Sequence, residues 1–190
     1  MSSGLFNHLH LIKNICRKNK PILVSTGLAT IKEVDNVLNY LKLNKINKTA
    51  LLHCCSLYPA PDLLLNLSTI KFFMDRYPLI PIGYSDHSLN SKSVICSIAL
   101  GARIIEKHFT LNKKKSSFDH KISCEPKELK NLIEQINNVE KILGTYKKNL
   151  SVKERKSRNA MRRYIVAKRN LDKEQVIRIN DISFKRLNKK

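Results

Sequence analysis

Four short apolar runs, each turning polar at its C-terminal end, constrain the fold of this chain more than any other feature. They are PILVSTG (21–27), TALLHCC (49–55), LIPIGYSDH (79–87) and ARIIEKHFT (102–110). Short apolar runs bounded by turn signals read as strands buried on both faces, and such strands belong to parallel sheets covered by helices. The segments between them carry a helical period. Thr30 caps IKEVDNVLNYLKLN, where Val34, Val37, Leu38 and Leu41 share one face. LLLNLSTIKFFMDRY (63–77) reads as a helix stopped by Pro78, and SKSVICSIALG (91–101) as one closed by Gly101. EPKELKNLIEQINNVEKILG (125–144) opens on Glu-Pro and ends at Gly144. It sets Leu129, Leu132, Ile133, Ile136 and Leu143 on one side.

The order is β-α-β-α-β-α-β-α. The polar ends STG, HCC, YSDH and EKH all stand before the next helix, which in a (β/α) barrel is the face that carries the active site. Four units make about half of an eight-unit barrel, so residues 1–144 read as an α/β domain, the C-terminal half of such a barrel. Beyond Gly144 the chain changes character. Residues 145–160 are charged and aperiodic, a linker, and 161–190 alternate apolar and polar residues, predicting a small β-rich appendage too short for a large core.

Composition narrows the function classes. No apolar run approaches the ~20 residues of a membrane span, and basic residues follow the first apolar stretch, the wrong order for a secretory signal. Cys16, Cys54, Cys55, Cys96 and Cys124 form no CxxC pair, which points to reduced thiols in a cytoplasm, packed as filler. The net charge of +21 invites a nucleic-acid reading. Against it, lysines run along the whole chain, aromatics are 6% with no Trp, and no helix-turn-helix, zinc-finger or RRM signature occurs. A Lys/Asn/Ile-rich compositional bias, laid over a protein with an anionic substrate, accounts for the charge without a nucleic acid or a membrane.

His87 ends one strand and His108 ends the next. Adjacent strand ends lie about 5 Å apart at the backbone, close enough for two imidazoles to share a metal ion. Each histidine alone would read as hydrogen-bonded structure. As a pair, each beside a carboxylate (Asp86, Glu106), they read as ligands. The residues alone reach a metal-assisted barrel enzyme.

The motifs go further. KPILVSTGLATIKEVDN, LLHCCSLYPAP, IPIGYSDHSL, IALGARIIEKHFTL and DHKISCEPKEL, in this order, resemble the sialic acid synthase family, which includes N-acetylneuraminate, legionaminate and pseudaminate synthases. RRYIVAKRNLDKEQVIRINDISFKRL resembles the start of that family's C-terminal antifreeze-like (SAF) domain. The resemblance implies condensation of phosphoenolpyruvate with an N-acyl hexosamine, N-acetylmannosamine or a relative, with release of phosphate. It implies a divalent metal, Mn²⁺ with Mg²⁺ or Co²⁺ as alternatives, between His87 and His108. By the same resemblance Ser3, Ser25, Ser56 and Ser85 correspond to phosphoenolpyruvate contacts, and Tyr58 lines the pocket beside the sugar. Glu106 would orient substrate or the attacking water, and Asp119 would bind sugar hydroxyls. Arg186 corresponds to an arginine that reaches a partner subunit's site, as in a homodimer with exchanged SAF domains.

Departures accompany the match. Leu5 stands where an acid usually follows Ser-Gly, and the family's earlier strands, with a phosphoenolpyruvate-binding lysine, would precede Met1. The expectation is therefore a fragment with a truncated SAF domain, inactive alone. It would complement a separate N-terminal half or be a remnant. A nucleic-acid-binding module and another phosphoenolpyruvate-using, aldolase-like barrel are the remaining alternatives.

Overall fold

Strand β1 (Ile22–Ser25) pairs in parallel with β2 (Thr49–Cys54), β2 with β3 (Ile82–Asp86), and β3 with β4 (Ile105–Lys107), in the computed structural model, which describes residues 1–115 and 117–187. Helices α1 (Leu9–Arg17), α2 (Ile31–Leu43), α3 (Thr69–Arg76), α4 (Lys92–Ala99), α5 (Phe118–Ile122) and α6 (Pro126–Leu143) complete a first unit, Met1–Gly144. This is the α/β fold with one parallel, curled sheet that the four apolar runs require.

Local chemistry fixes the helix ends. At the start of α2 the Thr30 N–H donates to Glu33 Oε2 at 2.7 Å, while the Glu33 N–H donates back to Thr30 Oγ1. This capping box satisfies two backbone donors that the helix leaves orphaned. Val34, Val37, Leu38 and Leu41 are all buried, as their spacing requires. Pro126 opens α6, where its missing N–H costs nothing, and Gly144 closes it at φ 58°.

Several boundaries differ from those the sequence implied. The helix expected over 63–77 is a 3-10 turn at Asp62–Leu64 and then α3, because Asn66 takes φ 42°, a left-handed conformation that asparagine tolerates and a helix does not. The face of α6 is narrower than expected. Leu132 is buried and Ile136 packs on the core, whereas Ile133 and Leu143 are each 49% exposed. α1 has no counterpart in the sequence reading, yet its Ile12 and Cys16 join the core beside Val24, Leu51 and Tyr84. β4 is shorter than the apolar run around it, so His108 follows the strand rather than ending it.

The second unit, Thr145–Lys190, contains α7 (Val152–Met161) and an antiparallel pair of β5 (Arg163–Ala167) with β6 (Ile182–Arg186). The segment expected as an aperiodic linker thus includes a helix. Its Ser151–Glu154 capping box supplies a start signal that hydrophobic periodicity does not register, since none of its residues is buried. Residues 188–190 lie outside the described residues. Within this unit Asp181 is buried and accepts from Arg169 Nη2 at 2.6 Å.

Two positions on the sheet generate tests. A Cβ on Gly83 would lie 2.4 Å from Leu52 Cδ2 and 2.5 Å from the Ile104 carbonyl oxygen, and the latter is backbone that cannot step aside. Gly83→Ala is expected to cost about 1–3 kcal/mol of stability in urea unfolding. An unchanged midpoint would mean that β4 can shift freely. His53 is buried, stacks on Tyr84, and donates from Nε2 to the Leu65 carbonyl at 2.7 Å. Burial lowers its pKa, so the unfolded chain takes up a proton more readily and stability falls as pH drops below about 6.5. His53→Gln keeps a donor but not the titration. Its melting temperature should fall less than the wild type's between about pH 7.5 and about pH 5.5, and parallel curves for the two proteins would refute this.

Candidate functional site

Because strand side chains alternate between faces, register alone sorts the polar strand ends. Ser25, Leu52 and Gly83 are register partners in one row, and Cys54, Ser85 and Glu106 form the next. Ser56, His87 and His108 follow just beyond the last strand residues. These rows open into a pocket of about 220 Å³ at the C-terminal end of the sheet. Ser25, Ser56, Ser85 and Glu106 line it, with His87, His108 and Tyr58. Ser3 joins from the N-terminal segment, where the Ser25 N–H donates to the Met1 carbonyl at 2.9 Å and the Leu28 N–H donates to Ser3 Oγ at 2.8 Å.

The two imidazoles stand 5.2 Å apart between ring centroids, nearly perpendicular at 79°. His87 Nδ1 lies 2.8 Å from the Cys55 carbonyl oxygen. A carbonyl only accepts, so Nδ1 carries the proton and Nε2 keeps its lone pair. Tyr58 stacks on His87 at 4.1 Å and meets His108 edge-on at 5.8 Å, walling one side of the pair. Asp119, on α5, brings Oδ1 to 3.9 Å from His108 Nδ1. Ser85 Oγ donates to Glu106 Oε1 at 2.7 Å, tying the carboxylate to the neighbouring strand.

Electrostatics separates the histidines. Burial and the adjacent His87 lower the pKa of His108, favouring the neutral ring. Burial opposes protonation of His87 too, but its contacts with the Cys54 thiol and the Cys55 carbonyl outweigh this and raise its pKa. The Cys54 thiol is raised by burial, yet His87 and the Ser56 and Ser85 hydroxyls bring it below its ordinary value. Burial raises the Tyr58 phenol.

Two readings of the sequence change here. Asp86 does not flank the histidines. It stands on the helix-facing side of β3, fully buried, and its carboxylate takes Lys107 Nζ at 2.6 Å. Strand alternation explains this, since residues adjacent in a strand face opposite ways. Cys54 is not filler, for its Sγ lies 3.7 Å from His87 Nδ1 and it lines the pocket. Its position two residues before Ser56 and in register with Ser85 is the signal that marks it. Arg186 lies in the second unit, at the end of β6 opposite Arg163.

The donor set suits a borderline divalent ion: two imidazoles, one oriented by a backbone carbonyl, with carboxylates nearby. Among the described residues no group of three His, Cys, Asp or Glu side chains converges as a complete ligand set.

Comparison with known proteins identifies relatives of the chain. An N,N'-diacetyllegionaminic acid synthase of Campylobacter jejuni is 40% identical over 186 residues, covering 97% of this chain and 55% of that protein. An N-acetylneuraminate-9-phosphate synthase of Drosophila melanogaster is 32% identical, covering 97% of this chain and 56% of its own length. The crystal structure of an N-acetylneuraminic acid (sialic acid) synthetase from Leptospira borgpetersenii, in complex with citrate, superposes with a TM-score of 0.78 at 33% identity. It covers 85% of this chain and 57% of that one. The chain thus spans about half the length of the curated relatives it matches. Residues 1–148 match the NeuB family, and with relatives named as legionaminic, neuraminic and pseudaminic acid synthases, the chain belongs to that family.

Proposed function

We propose that the first unit is the metal- and phosphoenolpyruvate-binding part of a nonulosonic acid synthase, half of a (β/α) barrel whose other strands complete the site. The reaction joins carbon 3 of phosphoenolpyruvate to the aldehyde carbon of an open-chain N-acyl hexosamine. Water adds at carbon 2, and phosphate leaves with C–O cleavage. The observation that carries this reading is the pairing of His87 and His108 at 5.2 Å in a pocket lined by five serines.

His87 and His108 would hold the divalent metal, Mn²⁺ in the first instance, whose chemistry is to polarise the sugar carbonyl. Ser25, Ser56 and Ser85, with Ser3, offer hydroxyl donors to the phosphate and carboxylate of phosphoenolpyruvate. Glu106, fixed by Ser85, is poised to orient the attacking water or the substrate. Tyr58 shapes the wall beside the sugar, and Asp119 accepts from sugar hydroxyls. In the second unit, read as the beginning of a SAF domain, Arg186 would serve the N-acyl group in a partner subunit's site within a homodimer. Phosphoenolpyruvate carries close to three negative charges, and the pocket presents hydroxyls and histidines rather than lysines or arginines. Binding without cationic partners costs several kcal/mol, so turnover requires cations from strands outside this region.

Mn²⁺ titration of the 190-residue chain should show one site, weakened at least tenfold by His87→Ala or His108→Ala, given the share each ligand has in such sites. Phosphate release from phosphoenolpyruvate and N-acetylmannosamine should be absent with this chain alone. It should appear when a polypeptide carrying the N-terminal half of a relative is added. Unchanged Mn²⁺ affinity in both alanine variants would remove the metal assignment, and metal-dependent release by this chain alone would remove the split-site assignment.

A further inference from the structure

Asp86 and Lys107 each precede one of the paired histidines, and the two are register partners across β3 and β4. Their side chains meet at 2.6 Å on the face of the sheet opposite the pocket, with side-chain exposures of 0% and 7%. The carboxylate is gripped from every side. Asp86 Oδ1 accepts from the Tyr84 hydroxyl at 3.0 Å, the Ser88 N–H at 3.0 Å and the Ser93 hydroxyl, on α4, at 3.1 Å. Lys107 Nζ also donates to the Ser88 carbonyl at 2.8 Å. One buried ion pair thereby joins the end of β3, the turn that follows His87, the end of β4 and the first turn of α4.

We propose that Asp86 and Lys107 are positioning residues that set the separation and ring orientation of His87 and His108, an inference that rests on the metal-pair reading above. Three observations support it. The regular β4 pairing ends at Lys107, so His108 leaves the ladder at the residue where the ion pair pins the backbone. The Ser88 carbonyl and N–H are both taken by the pair, which fixes the backbone on the far side of His87. Finally, His87 makes its hydrogen bond to Cys55, on the segment after β2, and that bond depends on where the end of β3 is held. Neither Asp86 nor Lys107 lines the pocket, so neither is assigned a contact with substrate or metal.

The test uses Lys107→Met and Asp86→Asn in the 190-residue chain, with two readouts. Mn²⁺ affinity, followed by the electron paramagnetic resonance of the free ion, should weaken about tenfold in each, the typical effect of removing an outer-shell partner of a metal ligand. Long-range ¹H–¹⁵N spectra of the metal-free protein should show His87 with its proton on Nδ1 in the wild type and a mixture of tautomers in both variants. The amides of Leu51 and Leu52, in the sheet centre, should remain protected from exchange in both variants, showing that the sheet stays folded. Wild-type affinity with unchanged imidazole spectra would overturn the proposal. So would global unfolding of both variants, which would make the pair a stabiliser of the whole sheet rather than of the histidine geometry. A wild-type chain that binds no Mn²⁺ would sink the metal reading by itself. The imidazole spectra would then decide the positioning role, altered tautomers supporting it and unaltered ones ending it.

Discussion

The buried ion pair between Asp86 and Lys107 is the constraint around which the rest of this unit is arranged. Two charges removed from water repay that cost only when every remaining donor and acceptor is satisfied. Here the carboxylate has four donors and the ammonium has a carboxylate and a carbonyl. Losing one partner of such a pair costs about 3–5 kcal/mol, more than a surface contact could. A network that strict tolerates little displacement of the strand ends, and the histidines sit one residue beyond it. Under the positioning role proposed above, the helix-covered side of the sheet would set the geometry of the pocket side.

Much of this was legible in the sequence because parallel sheets write themselves plainly. Apolar runs marked the strands, and the 3.6-residue spacing of Val34, Val37, Leu38 and Leu41 marked α2. Motif order identified the family, which the relatives bear out. The site was legible to the extent that it follows strand ends: seven of the expected residues, together with Ser3, border one pocket, although their roles remain proposals. What failed to show were features that apolar periodicity does not register. Asp86 turns away from the pocket by strand alternation, and its partners Lys107 and Ser93 lie distant in sequence. The break before α3 rests on one left-handed asparagine, and the place of Cys54 in the pocket on register with Ser85. The helix in 152–161 was hidden for the opposite reason, since it buries nothing and carries only a polar capping signal.

Part of the high positive charge is engaged inside the first unit. Its most buried lysine, Lys107, is consumed by an ion pair, and Lys113 is paired with Glu128. Arg76 is engaged by Asp35 and Tyr77. These three cations are held by internal partners, and the pocket itself is lined by hydroxyls, imidazoles, a thiol and the Glu106 carboxylate rather than by lysine or arginine.

The excursion after His108 is closed at its base. The Cys124 N–H donates to the His108 carbonyl at 2.7 Å, and the Thr110 N–H donates to the Cys124 carbonyl at 3.0 Å. Among the described residues between, Asp119 on α5 reaches back to His108, and Lys113 is tied to Glu125 and Glu128 beyond the clasp. A loop anchored in this way can gain or lose residues at its tip without transmitting the change to the strand beneath. The reach of Asp119 can therefore change with the length of that loop while the strand ends that carry His87 and His108 keep their places. Under the function proposed above, acceptor choice and metal binding would then rest on separate segments of one scaffold.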